Sequence, residues 1–326
     1  MNSHGFKYLL IFLLLAGGCT SLDTRLNRSI RKQLLKDTRK TAVLKGIRWL
    51  ADKSNRISPK TTAINIKKIY KVTPDEDLAK KLAKVIRKNE KNIIPVDPAI
   101  DINNEKYHNW FALRPVVETL LRKKCADTPI SRDAEKVRKL LSRYWKKIFP
   151  QKMILSQKLV AAYLLKELGV CTPAFYQSVI LQIRSRSKML EDPSKPGYLY
   201  YLYALTHSVF TRSDYYNRYL DKDEFSFEIR GMYRAIDRLL SSPDLSDNGA
   251  DILAEMLICL KLLKIPPEPR ARKAFTKLLE KQNPDGSWGS EKEPPTARSH
   301  HTVVSVLALM AFAPEFRRGK IYCRLN

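Results

Sequence analysis

The chain turns sharply at Gln282-Asn283-Pro284-Asp285-Gly286-Ser287-Trp288-Gly289, between two segments with helical patterns. Residues 271–281 predict one helix, and residues 299–312 predict a second, very apolar helix. Pro284 ends the first helix, because its ring disfavours α geometry in the residue before it. The Asp285-Gly286 pair is typical of a tight turn, in which glycine takes a positive φ. Trp288 is larger than a turn requires, so we expect its ring to pack back onto the helices.

This turn resembles the QW motif of the terpene cyclase and protein prenyltransferase superfamily. The motif core, Gln-x-x-Asp-Gly-Ser-Trp, is matched in full by residues 282–288. A second, decayed copy is indicated at Lys45-Gly46-Ile47-Arg48-Trp49-Leu50, where Ser54 stands in the place of the motif glutamine. The resemblance implies an α/α toroid, in which two concentric rings of helices surround a central cavity. The Asp-x-Asp-Asp motif of class II cyclases is missing, and cytosolic isoprenoid substrates would not easily reach an exported protein, so we reject cyclase and prenyltransferase activity. Nucleotide-binding and serine-hydrolase motifs are also absent.

Helical patterns also cover most of the remaining chain, and prolines mark the breaks between them. Thr73-Pro74-Asp75-Glu76 predicts the start of a helix that runs to Asn89, with Thr73 as its cap. Strand alternation with hairpin turns is absent, so the fold class is all-α. A helical solenoid is the main alternative to a toroid, but the sequence has no fixed repeat length. The further predicted helices are 105–124, 131–148, 153–168, 173–189, 197–211, 224–241, 248–264 and 268–281.

The N-terminus has the pattern of an export signal. Lys7 precedes the apolar run 8–15, which is too short to span a bilayer, and small residues follow. The ending Leu-Ala-Gly-Gly-Cys resembles the lipobox of bacterial lipoproteins. This resemblance implies that residues 1–18 are removed and that Cys19 becomes lipidated, for example with palmitate. Because the residues after Cys19 lack the aspartate of inner-membrane retention, we expect the outer membrane, with the protein facing the periplasm.

The charge of the chain is strongly basic, with 60 Lys and Arg against 33 Asp and Glu and a net charge of +27. Residues 22–71 alone carry 15 basic and three acidic side chains. Since this stretch follows the lipid anchor, we expect it to lie on an anionic membrane surface as a basic helical stalk. A solvated helix face would also explain the pattern. We expect no nucleic-acid partner in the envelope, and we divide the chain into residues 1–18, 19–72 and 73–326.

Two predicted helices carry candidate catalytic side chains. On one helix Asp247, Asp251, Glu255 and Cys259 follow at intervals of four, so they form one stripe. Glu255 lies among apolar residues there, and a carboxylate in such surroundings must be paired or protonated. On the predicted helix 197–211, the side chains of Tyr200, Tyr203 and His207 share a face. Tyr203, His207 and Glu255 are therefore the candidates for acid–base chemistry, with His207, His301 or Arg298 as partners of Glu255.

A metal site is the second possibility. The sequence His300-His301-Thr302 resembles the Tyr-His-Thr turn of protein prenyltransferase β subunits, which implies that His301 takes the place of a zinc ligand. The other ligands of that family do not transfer, because the residue two positions after Asp251 is Leu253 rather than cysteine. A looser zinc site made of His207, Glu255, Cys259 and His301 remains open. Each of these residues can equally be explained as a helix cap, an ion pair or a buried free thiol.

These features support two hypotheses about function. In the first, a lipid-anchored envelope protein binds a ligand or a protein partner in the cavity of its toroid, without catalysis. The alternative is an envelope enzyme that acts on a polysaccharide by acid–base or metal-assisted chemistry, with Trp110 or Trp288 stacking on sugar rings. The second hypothesis depends on analogy with other α/α toroids. Besides Cys19, the mature chain has four cysteines, Cys125, Cys171, Cys259 and Cys323, and their spacing favours free thiols over zinc-ribbon or thioredoxin motifs.

Overall fold

The computed structural model describes residues 21–52, 66–73, 75–91, 103–125, 128–242, 245–293 and 295–310. Within these ranges the chain forms α-helices and short 3-10 helices and no strand, which confirms the all-α class. The signal segment, Cys19 and Cys323 lie outside the described residues. Cys171 and Cys259 are free thiols. No helix in the described ranges is both long enough and apolar enough to cross a membrane.

Twelve α-helices occur in this part of the chain, and the predicted helices reproduce most of their bounds to within about two to four residues. Three 3-10 helices, at Glu105–His108, Ser187–Leu190 and Lys222–Phe225, precede or follow them. The α-helices are α1 (Ser21–Asp52), α2 (Lys67–Val72), α3 (Glu76–Lys91), α4 (Trp110–Cys125), α5 (Ser131–Ile148), α6 (Leu155–Leu168), α7 (Pro173–Ser185), α8 (Tyr198–Arg212), α9 (Ser226–Ser241), α10 (Asp247–Leu262), α11 (Pro269–Glu280) and α12 (Pro295–Leu309).

Two helix starts differ from the prediction. Asp75, not Thr73, caps α3, because its Oδ1 accepts a hydrogen bond from the backbone N–H of Leu78 at 3.0 Å. The Thr73 hydroxyl instead donates to the carbonyl of Ile69 and closes α2. The helix expected at 105–124 is interrupted at Asn109, whose Oδ1 accepts from the N–H of Ala112 and starts α4. In each case the side chain nearest the free N–H groups of the helix forms the cap.

The helices are packed in an alternating order. The even-numbered helices α4, α6, α8, α10 and α12 each lie against the next one in that series. The odd-numbered helices α5, α7, α9 and α11 pack on them from the side. The last helix, α12, lies against the first, α1, and α1 also contacts α3. This order places α8, α10 and α12 side by side, and these three helices carry the candidate site.

The Trp-bearing turn holds the first and last helices together. Trp288 is 1% exposed, so the prediction that it packs back onto the helices is confirmed. Its indole N–H donates to the carbonyl of Leu278 at 2.8 Å, and its backbone N–H donates to the Thr302 hydroxyl at 3.0 Å. The Gln282 side chain, the first residue of the motif, donates to the carbonyls of Ala42 and Gly286. The motif therefore joins α11, α12 and α1.

The predicted boundary at residue 72 does not coincide with the packing. Ile47, Trp49 and Leu50 of α1 are buried, and so are Ile66 and Ile69 around α2. All belong to the same hydrophobic core as the later helices. The second half of α1 is therefore part of the helical domain rather than a stalk outside it. Side chains of residues 21–36, the first half of α1, lie outside the description, and so does the contact expected between them and a membrane.

Candidate functional site

Two carboxylates lie in the interior of the helical domain, on the buried helix α10. Asp251 is 2% exposed and Glu255 is 3% exposed. They are one helical turn apart, so both project from the same side of α10. Ser246 caps the helix by accepting a hydrogen bond from the N–H of Gly249 at 3.1 Å. The apolar residues around them force α10 into the core, and the two acids are carried in with it.

Helix α8 supplies polar partners for both carboxylates. The Tyr203 hydroxyl donates to Asp251 Oδ2 at 2.7 Å, and the Thr206 hydroxyl donates to Glu255 Oε2. His207 Nδ1 lies 3.9 Å from Glu255 Oε2 and 2.9 Å from the carbonyl oxygen of Tyr203. Since a carbonyl can only accept, Nδ1 carries the proton in that hydrogen bond. His207, one of the predicted partners of Glu255, therefore lies beside it, whereas Tyr203 is hydrogen bonded to Asp251.

Helix α12 brings an imidazole to the same place, but it is the neighbour of the predicted one. His300 Nε2 lies 3.6 Å from Asp251 Oδ1. His301 turns to the other side, where its Nδ1 lies 3.3 Å from Glu293 Oε2. Asp251, Glu255 and His300 each offer a ligand atom, and these atoms all lie within 4.8 Å of one another. We call these three residues the inner cluster.

The environment of the inner cluster shifts the pKa values of Asp251 and of its hydrogen-bond partner Tyr203. Burial favours the neutral form of Asp251, but the charges of His300 and His301 and the Tyr203 hydroxyl outweigh it and hold the pKa of this carboxyl below its usual value. Burial and the charges of Asp251 and Glu255 raise the pKa of Tyr203 well above its usual value. Tyr203 therefore keeps its proton near neutral pH, and Asp251 is ionised. The geometry makes Tyr203 a proton donor rather than a base.

Cys259 is close to the cluster but does not belong to it. Its thiol donates to the carbonyl of Thr206, with Sγ and O 3.6 Å apart. Burial, together with the charge of Glu255, raises the pKa of the Cys259 thiol well above its usual value. Its Sγ is not one of the ligand atoms that lie within 4.8 Å of one another. Of the four residues predicted as zinc ligands, His207, Glu255, Cys259 and His301, only Glu255 belongs to the inner cluster, and His207 lies beside it.

Other predicted members of the site lie elsewhere. Tyr200 is 55% exposed in the first turn of α8, two turns before His207, and does not reach the carboxylates. Trp110 and Trp288 are fully buried, so neither ring can stack on a sugar. Arg298 pairs with Asp285, at 2.9 Å between Nη2 and Oδ2, rather than with Glu255. The positions of Tyr200 and Arg298 depend on the direction in which each side chain leaves its helix, which residue spacing alone does not give.

Sequence reasoning missed the roles of two residues, Asp251 and His300. Asp251 was visible in the stripe of α10, and its spacing of four from Glu255 placed both acids on one face. His300 stands next to the histidine that the resemblance selected. On a helix, adjacent residues point about 100° apart, since a turn takes 3.6 residues. The signal that could have found His300 was therefore present, but the choice between the two histidines required the orientation of α12.

Comparison with known proteins gives one match. Residues 156–303 match a family described as a domain of unknown function, DUF6895. This segment runs from α6 into α12 and contains all three residues of the inner cluster. No curated protein and no solved structure matches the chain at a significant level.

Proposed function

We propose that the protein binds a divalent transition metal, with zinc as the first candidate, through Asp251, Glu255 and His300. The observation that carries this proposal is the inner cluster itself, two buried carboxylates and one imidazole with ligand atoms within 4.8 Å of one another. Carboxylate oxygen and imidazole nitrogen are both zinc ligands. Calcium and magnesium are bound mainly by oxygen, so the histidine favours a transition metal.

The donor atoms of the inner cluster fit the requirements of such an ion. Asp251 Oδ1 is a buried atom with no hydrogen-bond partner among the described residues. Its nearest ion-pair partner, His300 Nε2, is 3.6 Å away, which is longer than a hydrogen bond. That separation suits two atoms bound to one zinc ion, since zinc–oxygen and zinc–nitrogen distances are about 2.0–2.2 Å. A cation here would also balance the negative charge of two buried carboxylates, whose burial is otherwise costly.

The surrounding residues give the site access and a proton donor. The His300 side chain is 42% exposed, so the cluster is reached from its α12 side. A bound zinc ion would act as a Lewis acid towards a carbonyl or phosphoryl oxygen. Tyr203, hydrogen bonded to Asp251, holds a proton beside that position. His207 donates from Nδ1 to the backbone carbonyl of Tyr203, which fixes the orientation of its ring beside Glu255.

Zinc titration of metal-free protein tests the proposal. We expect a single zinc ion per chain, measured by competition with a chromogenic chelator and by elemental analysis. Asp251→Asn and His300→Ala should each weaken zinc binding by more than about tenfold, because each removes a direct ligand. His301→Ala is the matched control and should retain the affinity of the parent. If the parent takes up no zinc, or if His301→Ala loses it and His300→Ala does not, the assignment is wrong.

We further propose that the helices close into an α/α toroid. The support is the alternating order of the helices together with the contact of α12 on α1. Small-angle scattering distinguishes the arrangements, because a compact domain of this size has a radius of gyration of about 19 Å. An open helical superhelix of the same length would give a clearly larger value. The QW-like corner, in which Trp288 and Trp49 are buried together, is the feature that such closure would use.

We propose that the chain is a lipid-anchored protein of the cell envelope, on the periplasmic side of the outer membrane. The support is the lipobox-like sequence before Cys19 and the basic residues that follow it. Labelled palmitate should be incorporated into the expressed full chain and not into Cys19→Ser. Density-gradient separation of membranes should place the parent in the outer-membrane fraction. Incorporation of label into the Cys19→Ser variant would contradict the anchor.

Within this setting, a binding protein for a cavity ligand or partner and an envelope enzyme remain the two candidates. The observation that favours an enzyme is the Tyr203 hydroxyl, which donates a hydrogen bond to Asp251 beside the proposed metal ligands. We expect zinc-loaded protein to act on an anionic polysaccharide, and Tyr203→Phe to lose turnover while keeping zinc. A binding protein would show no turnover on such glycans, and its ligand-induced melting shift would depend on zinc. A single screen that compares the parent with Tyr203→Phe distinguishes an enzyme from a binding protein.

A further inference from the structure

A cavity of about 290 Å³ lies away from the inner cluster, where the starts of α6 and α8 meet the end of α7. Its wall is formed by residues 151–155, by Arg186 and Met189, and by residues 196, 197, 200 and 201. No residue of the inner cluster is part of this wall. The volume is at the lower end of the range for small-molecule sites, about 300–1,000 Å³.

The floor of this cavity is apolar and aromatic. Met153, Ile154, Leu155 and Met189 contribute aliphatic or thioether surface. The Tyr201 hydroxyl is occupied, since it donates to the carbonyl of Ile183 at 3.0 Å. Tyr200 is one of the few large aromatic side chains of the described residues that is more than half exposed, and it stands at this cavity. An exposed ring beside a concave apolar surface is a feature of ligand sites.

The charged residues of the cavity wall all carry the same sign. They are Lys152 and Arg186, and no acidic side chain is part of the wall. Neither of these two side chains forms a hydrogen bond or an ion pair with any residue that the structure describes. Lys158 is a third cation near this wall. Its pKa is lowered first by burial and then by the positive charge of Arg186. The cavity therefore concentrates positive charge that no protein carboxylate in its wall balances.

The backbone adds to this field. The cavity includes Ile154 and Gly197, the residues that precede the first turns of α6 and α8. Neither helix start has a side-chain cap. The N–H groups of a helix's first turn carry partial positive charge, so two helix starts and two cationic side chains act in the same direction. The side chains and the cavity define the site, and the helix starts strengthen its preference for an anion.

We propose that this cavity binds a small anionic amphiphile, a phosphate or carboxylate group attached to an apolar chain. Lys152 and Arg186 would hold the anion, and Arg186 can do so with two parallel N–H donors. The apolar chain would lie on Met153, Leu155 and Met189, next to the ring of Tyr200. The wall of this cavity contains none of the three proposed metal ligands, so the assignment stands or falls independently of the metal proposal.

The test uses dodecyl phosphate below its micelle concentration, with the mature chain and isothermal titration calorimetry. We expect saturable binding that weakens with added salt, because the contacts are exposed charges. Inorganic phosphate tests the anion alone, and dodecyl maltoside tests the chain alone. Both should bind at least about tenfold more weakly than dodecyl phosphate, since each lacks one of the two contacts. Equal affinity for either compound would overturn the proposal, as would the absence of saturable binding.

A pair of double variants localises the site. Lys152→Gln/Arg186→Gln removes both cavity cations and should weaken dodecyl phosphate binding by about tenfold or more, given the strength of charge-assisted hydrogen bonds. Lys188→Gln/Lys195→Gln removes the same charge from exposed positions of the same region that are not part of the cavity wall. This control should bind as the parent does. Equal loss in both variants would show a non-specific charge effect and contradict the site. Thermal melting of each variant verifies that it is folded.

Discussion

The indole N–H of Trp49 donates a hydrogen bond to Asp285 Oδ2 at 3.1 Å, although 236 residues separate the two. Asp285 also pairs with Arg298, whose guanidinium lies over the Trp49 ring at 5.4 Å from its centroid. Trp49 of α1 is thus packed directly on the turn that contains Asp285, near the end of the chain. This relationship explains why α1 belongs to the helical domain.

Replacing Trp49 should therefore destabilise the whole domain. Trp49→Ala removes a buried ring and should lower the free energy of unfolding by about 3–5 kcal/mol. Trp49→Phe keeps most of the packing and loses the N–H donor, so we expect a loss of about 1–2 kcal/mol. Urea unfolding followed by circular dichroism measures both. A loss below about 1 kcal/mol for Trp49→Ala would mean that α1 contributes little to the folded domain.

A close approach between Gly286 and Lys45 gives a second prediction. Gly286 has a φ of 92°, and a Cβ added to it would lie 2.7 Å from the carbonyl oxygen of Lys45. Gly286→Ala should therefore cost more than the usual penalty of about 1–2 kcal/mol for a left-handed alanine, because α1 must also move away. Gly169→Ala is the matched control, since its φ is 83° and nothing lies within 4 Å of the added Cβ.

The measurement compares the urea unfolding of the two glycine variants. The difference between them isolates the contact with α1 from the backbone strain that both share. If Gly286→Ala and Gly169→Ala lose the same free energy of unfolding, the close contact between Gly286 and Lys45 of α1 does not contribute to the penalty. The turn would then accept a Cβ at Gly286 more easily than the distances indicate.

The helices could be predicted from the sequence because their signals are local. Apolar periodicity and prolines set the ends of α5, and Gly169 follows the last residue of α6 in a left-handed conformation. The QW-like string predicted the burial of Trp288 for the same reason. The place of α1 could not be predicted, because the contact of Trp49 with Asp285 depends on how the chain closes over 236 residues. The many basic side chains of α1 indicated an exposed stalk, whereas Ile47 and Leu50 of the same helix are buried in the core.

The candidate site could be predicted only in part, for a different reason. The face shared by Tyr203 and His207 and the isolation of Glu255 follow from helical spacing. The choice between His300 and His301, and the turning of Arg298 towards Asp285, depend on the rotation of α12 about its axis. Cys259 was a plausible ligand by spacing, but its complete burial and the nearby Glu255 keep it protonated. The sequence alone gives neither the rotation of α12 about its axis nor the burial of the Cys259 thiol.

The pKa of Asp285 predicts how the corner responds to acid. Partial burial opposes ionisation, but the hydrogen bonds from Ser287 and Arg298 outweigh it and lower the pKa of Asp285. A lowered pKa in the folded state gives a stabilisation that is complete above the unfolded value, about 3.9, and is lost as the pH falls through the folded value. We expect the stability difference between parent and Asp285→Asn to be largest near neutral pH and to shrink below about pH 4.

Urea unfolding at neutral pH and at two acidic pH values measures this difference. The comparison cancels the acid response of all other carboxylates, including Asp251, because both proteins share them. A difference between parent and Asp285→Asn that stays constant from neutral to acidic pH would show that the charge of Asp285 contributes nothing to the corner.

Cys259 gives the prediction that separates the sequence-based metal site from the inner cluster. Cys259→Ala should leave the zinc affinity unchanged, because the thiol is protonated, buried and hydrogen bonded to the carbonyl of Thr206. Its loss of packing should cost about 1 kcal/mol, as for other small reductions in a core. Elemental analysis and unfolding of the same preparation measure both quantities. A Cys259→Ala protein that keeps its stability but loses zinc would make the thiolate a ligand, and His300 would then no longer be needed to complete the site.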